Sequence, residues 1–353
     1  MRQAVANPVK LKLLFFLLIS TLAFGQQDIM HDYSQVDEYA KSLTYKGDLK
    51  LLVSDLTKNY AGEADKGRAI FVWIADNIAY DIKTYNKNNL KPFKCKGDDC
   101  DKKYIEWEDK LIERTLNKKM AVCEGYARLF KRMCDYAGLR TDIVAGYTKN
   151  DPSEIGRMGS LNHAWNGIII DGEYHYLDVT WAAGGCSQDN KGKLQDFYKR
   201  FDDYYWLTPP AKHFRDHFPA DTKLPHIMVD SKQKYKDAPY INPDFIADVT
   251  AFEPNNGILY VCVGDTVHFA IRHKDMLWGS VQLNSNVDPG PNLKWDEIED
   301  IDKMFEEHKS TPFNRENYVF TFDYLVSNKN LRYIDVYFDH HHTMRYKVKV
   351  VAK

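Results

Sequence analysis

Three side chains in this sequence have types and settings suited to covalent chemistry: Cys123, His163 and Asp178. Cys123 opens a predicted helix, Ala121 to Ala137. In it Cys123, Tyr126, Ala127, Phe130, Met133, Cys134 and Ala137 share one face, and Gly138 supplies the left-handed stop. A thiol at a helix N-terminus feels the partial positive charge of unpaired backbone N–H groups, which favours thiolate, the nucleophilic form. Gly125, two residues on, leaves little bulk beside the sulfur. Cys134, in the helix interior, has no terminus near it and reads as an ordinary core thiol.

His163 and Asp178 are linked by a hairpin. Asn162 to Ile170, then Asp171-Gly172, then Glu173 to Trp181 reads as two strands joined by a two-residue type I′ turn. With Ile170 opposite Glu173, His163 faces Thr180 and Trp165 faces Asp178. His163 and Asp178 are then diagonal neighbours on one face, about 7–8 Å apart at Cα. A carboxylate at that reach holds an imidazole and fixes its tautomer, leaving the other nitrogen for the thiol. Taken alone, a surface ion pair is the plainer reading of the same two residues.

The elements that must position these groups follow from periodicity. Residues 28 to 60 predict two short polar helices, and Lys66 to Tyr80 a firmer one, with Ile70, Trp73, Ile74 and Ile78 on one face. Asn86 to Lys103 is polar, Lys-rich and broken by Pro92 and Gly97, which predicts a loop. Arg140 to Thr148 predicts a strand and Asp151 to Ser160 a loop. Residues 182 to 245 read as irregular, rich in aromatics and prolines. Beyond Asp248, runs such as Thr266 to Arg272, Leu331 to Phe338 and Arg345 to Val351 predict a separate all-β region, a sandwich. The expected division is 1–25, 26–240 and 241–353.

Four stretches carry a family resemblance: Val122-Cys123-Glu124-Gly125-Tyr126-Ala127, Ala145-Gly146-Tyr147, Asn162-His163-Ala164-Trp165-Asn166 and Tyr176-Leu177-Asp178-Val179-Thr180-Trp181. Together they resemble the transglutaminase-like core, most nearly that of the kyphoscoliosis-peptidase and cytokinesis-protein group. Arg68 to Ile74 and Asn77 to Asp81 look like that group's leading helix. The resemblance spans roughly residues 50 to 220. It implies an α+β, papain-related fold, with the cysteine helix packed on an antiparallel sheet. It also implies a Cys123–His163–Asp178 triad, attack on an amide carbonyl, and an acyl-enzyme resolved by water or an amine. The Cys123 backbone N–H would be one oxyanion donor. Trp165 and Trp181 flank the histidine and aspartate, either as walls of a substrate channel or as core packing. Trp206-Leu207-Thr208-Pro209 and His213-Phe214 to Phe218-Pro219 resemble the segment that follows the core in the family and read as packing.

The remaining signals bound the setting. The chain has 353 residues, 44% hydrophobic, with a formal net charge of −2, so no basic excess invites nucleic acid or anionic lipid. Arg2, Lys10 and Lys12, the 12-residue run Leu13 to Phe24, and Ala23-Phe24-Gly25 read as a secretory signal cut after Gly25. Losing those three cations takes the net charge to −5. An uncleaved anchor is the alternative, although the run is short for a span. Periplasmic or extracellular location is expected, with no later span. Export permits disulfides, and Cys95 and Cys100, around Gly97, are the expected local pair; a metal site there lacks further ligands. His340-His341-His342, adjacent in a hairpin loop, point different ways, so neither metal nor other cofactor is expected.

The function expected is a peptidase or amidase acting on a peptide, a protein or a cell-wall peptide. Its rivals are a crosslinking transglutaminase, which shares the triad, and a non-catalytic scaffold, which does not need one.

Overall fold

The computed structural model describes residues 31–87, 93–189, 192–223, 231–274, 281–288, 313–314 and 319–352. The expected signal segment lies outside these residues. Among them no helix is long and apolar enough to cross a membrane.

The two short helices expected before residue 60 are α1 (Ser34–Ser42) and α2 (Leu49–Thr57), and the amphipathic helix is α3 (Glu63–Asn77). It starts three residues earlier than the apolar period suggests. Glu63 and Asp65 lie in its first turn, where the helix dipole favours them. Its Arg68 is buried, held by two 2.7 Å contacts to Asp37 and by a contact to Asp203. The pairing anchors α1 and a distant loop to α3, and it satisfies a charge that would be costly to bury alone.

Strand β1 (Ala79–Tyr80) runs parallel to β2 (Met120–Ala121), immediately before Cys123. Between them lie α4 (Ile82–Asn86) and α5 (Cys100–Lys118). The loop expected to reach Lys103 thus ends at Cys100. α5 packs on α6 (Cys123–Tyr136), where Arg128 bridges Glu108 and Glu124, each at 2.7 Å. Cys95 and Cys100 form a disulfide with Cα atoms 5.6 Å apart.

The central sheet contains β3 (Arg140–Thr148), β4 (His163–Ile170) and β5 (Glu173–Leu177). Asp171 and Gly172 have φ of 51° and 88°, as a type I′ turn requires, and Ile170 pairs with Glu173 as expected. The ladder stops at Asn166–Leu177, however. Asp178 is not on a strand. It caps α7 (Val179–Ala182), so His163 faces Gly146 of β3 rather than Thr180.

The stretch read as irregular contains a hairpin, β6 (Gly184–Gln188) with β7 (Leu194–Lys199), then α8 (Pro210–His213) and β8 (His217–Pro219). β8 completes the central sheet in the order β5-β4-β3-β8, all antiparallel. One face of that sheet, with Ile168, Ile170 and Leu177, joins the core formed by α3 and α6. The other face carries a separate cluster of Val144, Trp165 and Tyr176.

After α9 (Lys232–Asp237) and β9 (Tyr240–Ile241), two sheets follow. One contains β10 (Val249–Glu253), β12 (Thr266–His273), β14 (Phe313–Asn314) and β15 (Val319–Leu325). The other contains β11 (Ile258–Val261), β13 (Val281–Ser285), β16 (Tyr333–Phe338) and β17 (His341–Val350), with β9 paired to β17. Phe269 against Tyr346, and Phe320 and His273 against Phe338, join the two as a sandwich. The triple histidine diverges as expected: His341 lies by Phe245, while His342 turns to Asp335, 3.0 Å away.

Candidate active site

Cys123 is the first residue of α6, after Val122 in extended conformation, and is 7% exposed. β2 fixes this start: Asp81 N–H donates to the Ala121 carbonyl at 2.8 Å, which ties the approach to the helix against the end of α3. Gly125 serves this packing rather than the sulfur. A Cβ there would stand 2.8 Å from Ala121 Cβ and 3.0 Å from Thr115 Oγ1.

His163 begins β4. Its Nε2 lies 2.5 Å from Asp178 Oδ2, and the ring lines the same cleft as Cys123. Asp178 is fully buried. Its Oδ1 accepts the backbone N–H of Thr180 at 2.8 Å and of Trp181 at 3.2 Å, because the residue caps α7. The structure therefore joins His163 to Asp178 by a hydrogen bond and sets Cys123 beside the ring in one cleft. Burial opposes charge on His163, but Asp178 and then Cys123 outweigh it and push the ring up to about 10. Burial likewise opposes the Asp178 carboxylate, yet His163 and His217 hold it far below the usual range. Both directions favour an imidazolium beside a carboxylate.

His217 and Asp216 were read as packing in the sequence and are not. His217 Nε2 lies 3.1 Å from the same Asp178 Oδ2, and its Nδ1 is 2.6 Å from Asp216 Oδ1. The Asp-His dipeptide was visible, but only the pairing of Thr148 with His217 across β3 and β8 brings it to the site. His213 is packing: it stacks on His217 at 4.4 Å and on Tyr176 at 5.0 Å. Among the described residues neither of its ring nitrogens finds a partner. Burial, then His217, keep it neutral.

The two tryptophans separate. Trp165 is 1% exposed and lies under the histidines, 5.0 Å from the His217 ring. Trp181 is partly exposed and lines a cavity of about 210 Å³ with His163, Tyr80, Tyr85, Tyr198 and Cys186. A second cleft, of about 720 Å³, contains Cys123 and His163 with Trp107, Leu111 and Leu161. The two meet at Tyr85, Asn162 and His163. Two of the other thiols, Cys134 and Cys186, are unsuited to attack. Burial raises Cys134 well above the usual thiol range and Cys186 to about 11.

His163, Asp178 and His217 also offer donors within 4.8 Å of one another, as a metal site would. Bonds of about 2 Å at tetrahedral angles would space such atoms by about 3.3 Å. The 2.5 Å separation of Nε2 and Oδ2 is that of a hydrogen bond.

Residues 50–179 match the transglutaminase-like superfamily. The human kyphoscoliosis peptidase is 33% identical over 192 residues, 54% of this chain and 26% of that protein. Cytokinesis protein 3 of Schizosaccharomyces pombe is 21% identical over 206 residues, 56% of this chain and 20% of that protein. The chain thus spans about a quarter or less of the length of these relatives. A crystal structure of a TGase overlaps 46% of this chain and 37% of its own at 18% identity, with a TM-score of 0.27. The match and the grouping of Cys123, His163 and Asp178 lead to one statement of kind: the chain carries a transglutaminase-like core domain, followed by a region rich in β-sheet.

Proposed function

We propose that the chain is an exported cysteine peptidase or amidase of the transglutaminase-like type. It acts on amide bonds of peptides or proteins, cell-wall peptides among them. The observation that carries this reading is that Asp178, fully buried, holds His163, and that His163 shares a cleft of about 720 Å³ with Cys123.

The chemistry follows from the parts. His163 takes the thiol proton, and the Cys123 sulfur attacks the amide carbon. The carbonyl oxygen gains the negative charge, which the Cys123 backbone N–H at the helix start can meet. Imidazolium then donates its proton to the leaving nitrogen as the C–N bond breaks, leaving a thioester. Water, deprotonated by His163, releases the acid. Asp178 stays ionised and orients the ring. Export rests on Arg2, Lys10, Lys12 and the run Leu13 to Phe24. The proposed parts are a leader at 1–25, the catalytic region at 26–240 and a β region at 241–353.

A second reading, transfer of the acyl group to an amine, draws on the second cavity. It meets the cleft at His163 and would let an acceptor approach from the other side. Iodoacetamide labelling near neutral pH tests both readings together. Cys123 is expected to label fast and selectively, and His163→Ala to abolish the advantage. Labelling of Cys123 no faster than that of Cys262 leaves a non-catalytic binding protein. Product analysis after incubation with peptidoglycan and with protein, with and without added amine, separates hydrolysis from transfer.

A further inference from the structure

Asp178 Oδ2 takes two partners, and the reaction as written uses only one. We propose that His217 is a positioning residue, which holds the Asp178 carboxylate in the orientation His163 needs. This rests on the reading of Cys123, His163 and Asp178 as the catalytic unit.

The His217 ring makes two bonds. Nδ1 meets a carboxylate oxygen of Asp216 at 2.6 Å, and Nε2 meets Asp178 Oδ2 at 3.1 Å. Ionised carboxylates only accept, so both nitrogens donate and the ring carries both protons. An imidazolium fixed at both ends cannot turn. Stacking adds to this: His213 lies 4.4 Å away on one side, and Trp181 and Trp165 lie 4.7 Å and 5.0 Å away.

The demand comes from Asp178. Its Oδ1 is fixed by the amides of Thr180 and Trp181. Without His217, its Oδ2 would keep one partner in a fully buried setting, where a carboxylate lacking donors is costly. That partner is His163, whose charge changes during the reaction as its other nitrogen takes and gives up a proton. A second donor that keeps its protons throughout holds the carboxylate in place while His163 changes state.

The backbone supports the same geometry. Gly146 of β3 pairs with His163 on one side and with Pro219 on the other, and Thr148 pairs with His217. Residues directly opposite, or two apart, share a face. Both histidines therefore project from the same face of one rigid sheet, with β3 as the spacer between them. The groups facing His217 are Asp178, Asp216, His163, His213 and, through its hydroxyl on Asp216, Tyr205.

Three substitutions divide the ring's functions. In His217→Gln the amide nitrogen falls near the former Nε2, toward Asp178. In His217→Asn it falls near the former Nδ1, toward Asp216. His217→Phe keeps the ring and loses both donors. Each protein is followed by the rate of Cys123 alkylation from pH 4 to 10, with circular dichroism and melting as a check of fold. The expected result is that His217→Gln stays within about threefold of wild type at pH 7, while Asn and Phe fall about tenfold or more. The midpoint of the labelling profile should rise by about one pH unit in Asn and Phe and stay in place in Gln.

Equal rates for Phe and wild type mean that the ring only fills space, and the proposal falls. It falls as well when Gln drops with the others. Should Phe not fold, the contrast of Gln with Asn decides. Absence of fast labelling in the wild type overturns the nucleophile reading itself. Fast labelling indifferent to position 217 overturns only this proposal.

Discussion

Asp178 and His163 meet through a single oxygen: Oδ2 lies 2.5 Å from Nε2, while Oδ1 is committed to the first turn of α7. The carboxylate therefore has a helix cap on one side and an imidazole on the other. A substitution at Asp178 acts on both.

This predicts unequal losses. Cys123→Ala and His163→Ala remove the proposed nucleophile and base, and turnover should fall to background. Asp178→Asn keeps an oxygen for the cap but offers an amide N–H to His163, which disturbs the tautomer and leaves a residue of activity. Cys123→Ala/His163→Ala should be little worse than either single change, because members of one unit are not additive. Full turnover in Cys123→Ala would end the triad assignment.

The pH dependence of stability follows from His163, pushed up to about 10 in the fold from its ordinary 6.5. A raised value means that the folded state binds this proton more tightly. Its contribution is complete below about pH 6.5 and is lost as pH rises through about 10. The melting temperature of wild type minus that of His163→Ala should therefore shrink steadily between those limits. A difference that stays constant to pH 10.5 contradicts the paired imidazolium.

Gly146 offers a test of packing. A Cβ there would lie 2.2 Å from the Trp165 ring and 2.4 Å from the Phe218 carbonyl oxygen. Gly146→Ala should cost about 1–3 kcal/mol by overpacking, read by urea unfolding. It should also slow Cys123 labelling, since Trp165 is displaced toward the histidines. Wild-type stability and labelling in this variant would show that the sheet yields at no cost.

The Cys95–Cys100 pair closes a short loop at the start of α5. A linked peptide spanning both should appear in a non-reducing map and vanish on reduction. Replacing both by serine should cost about 2 kcal/mol at most, by loop entropy, and leave Cys123 labelling intact. Recovery of both thiols alkylated without reduction removes the disulfide.

Legibility in the sequence tracked locality. The hairpin was readable because Asp171-Gly172 encodes its own turn and the turn sets the register. The cysteine helix was readable from one apolar face and Gly138. Asp178 was placed on a strand because Leu177-Asp178-Val179 continues the strand pattern; the cap it makes depends on where β5 stops. His217 was missed because its place depends on β8 joining β3, some seventy residues along the chain, and no local period encodes that. α5 was not foreseen, for another reason. It buries only Ile112, Thr115 and Leu116, a stripe too narrow to stand out among its charges. In the sandwich, β12 alternates buried and exposed residues and was foreseen, whereas β13 is half-buried throughout most of its length and was not.

The short parallel bridge of Ala79–Tyr80 with Met120–Ala121 has a consequence for how such a protein diversifies. The chain turns away at Tyr80 and returns beside the same point, two residues before Cys123, with Ile112 and Leu116 anchoring the excursion in the core. Everything between is a lobe whose ends are pinned together, and doubling the length of such an excursion costs only about 0.6 kcal/mol in closure entropy. Trp107, Leu111 and Arg114 of that lobe line the large cleft. Substitutions and insertions in the lobe can therefore reshape one wall of the cleft while the start of the cysteine helix stays put. Selectivity can drift there, generation by generation, with the reacting atoms left undisturbed.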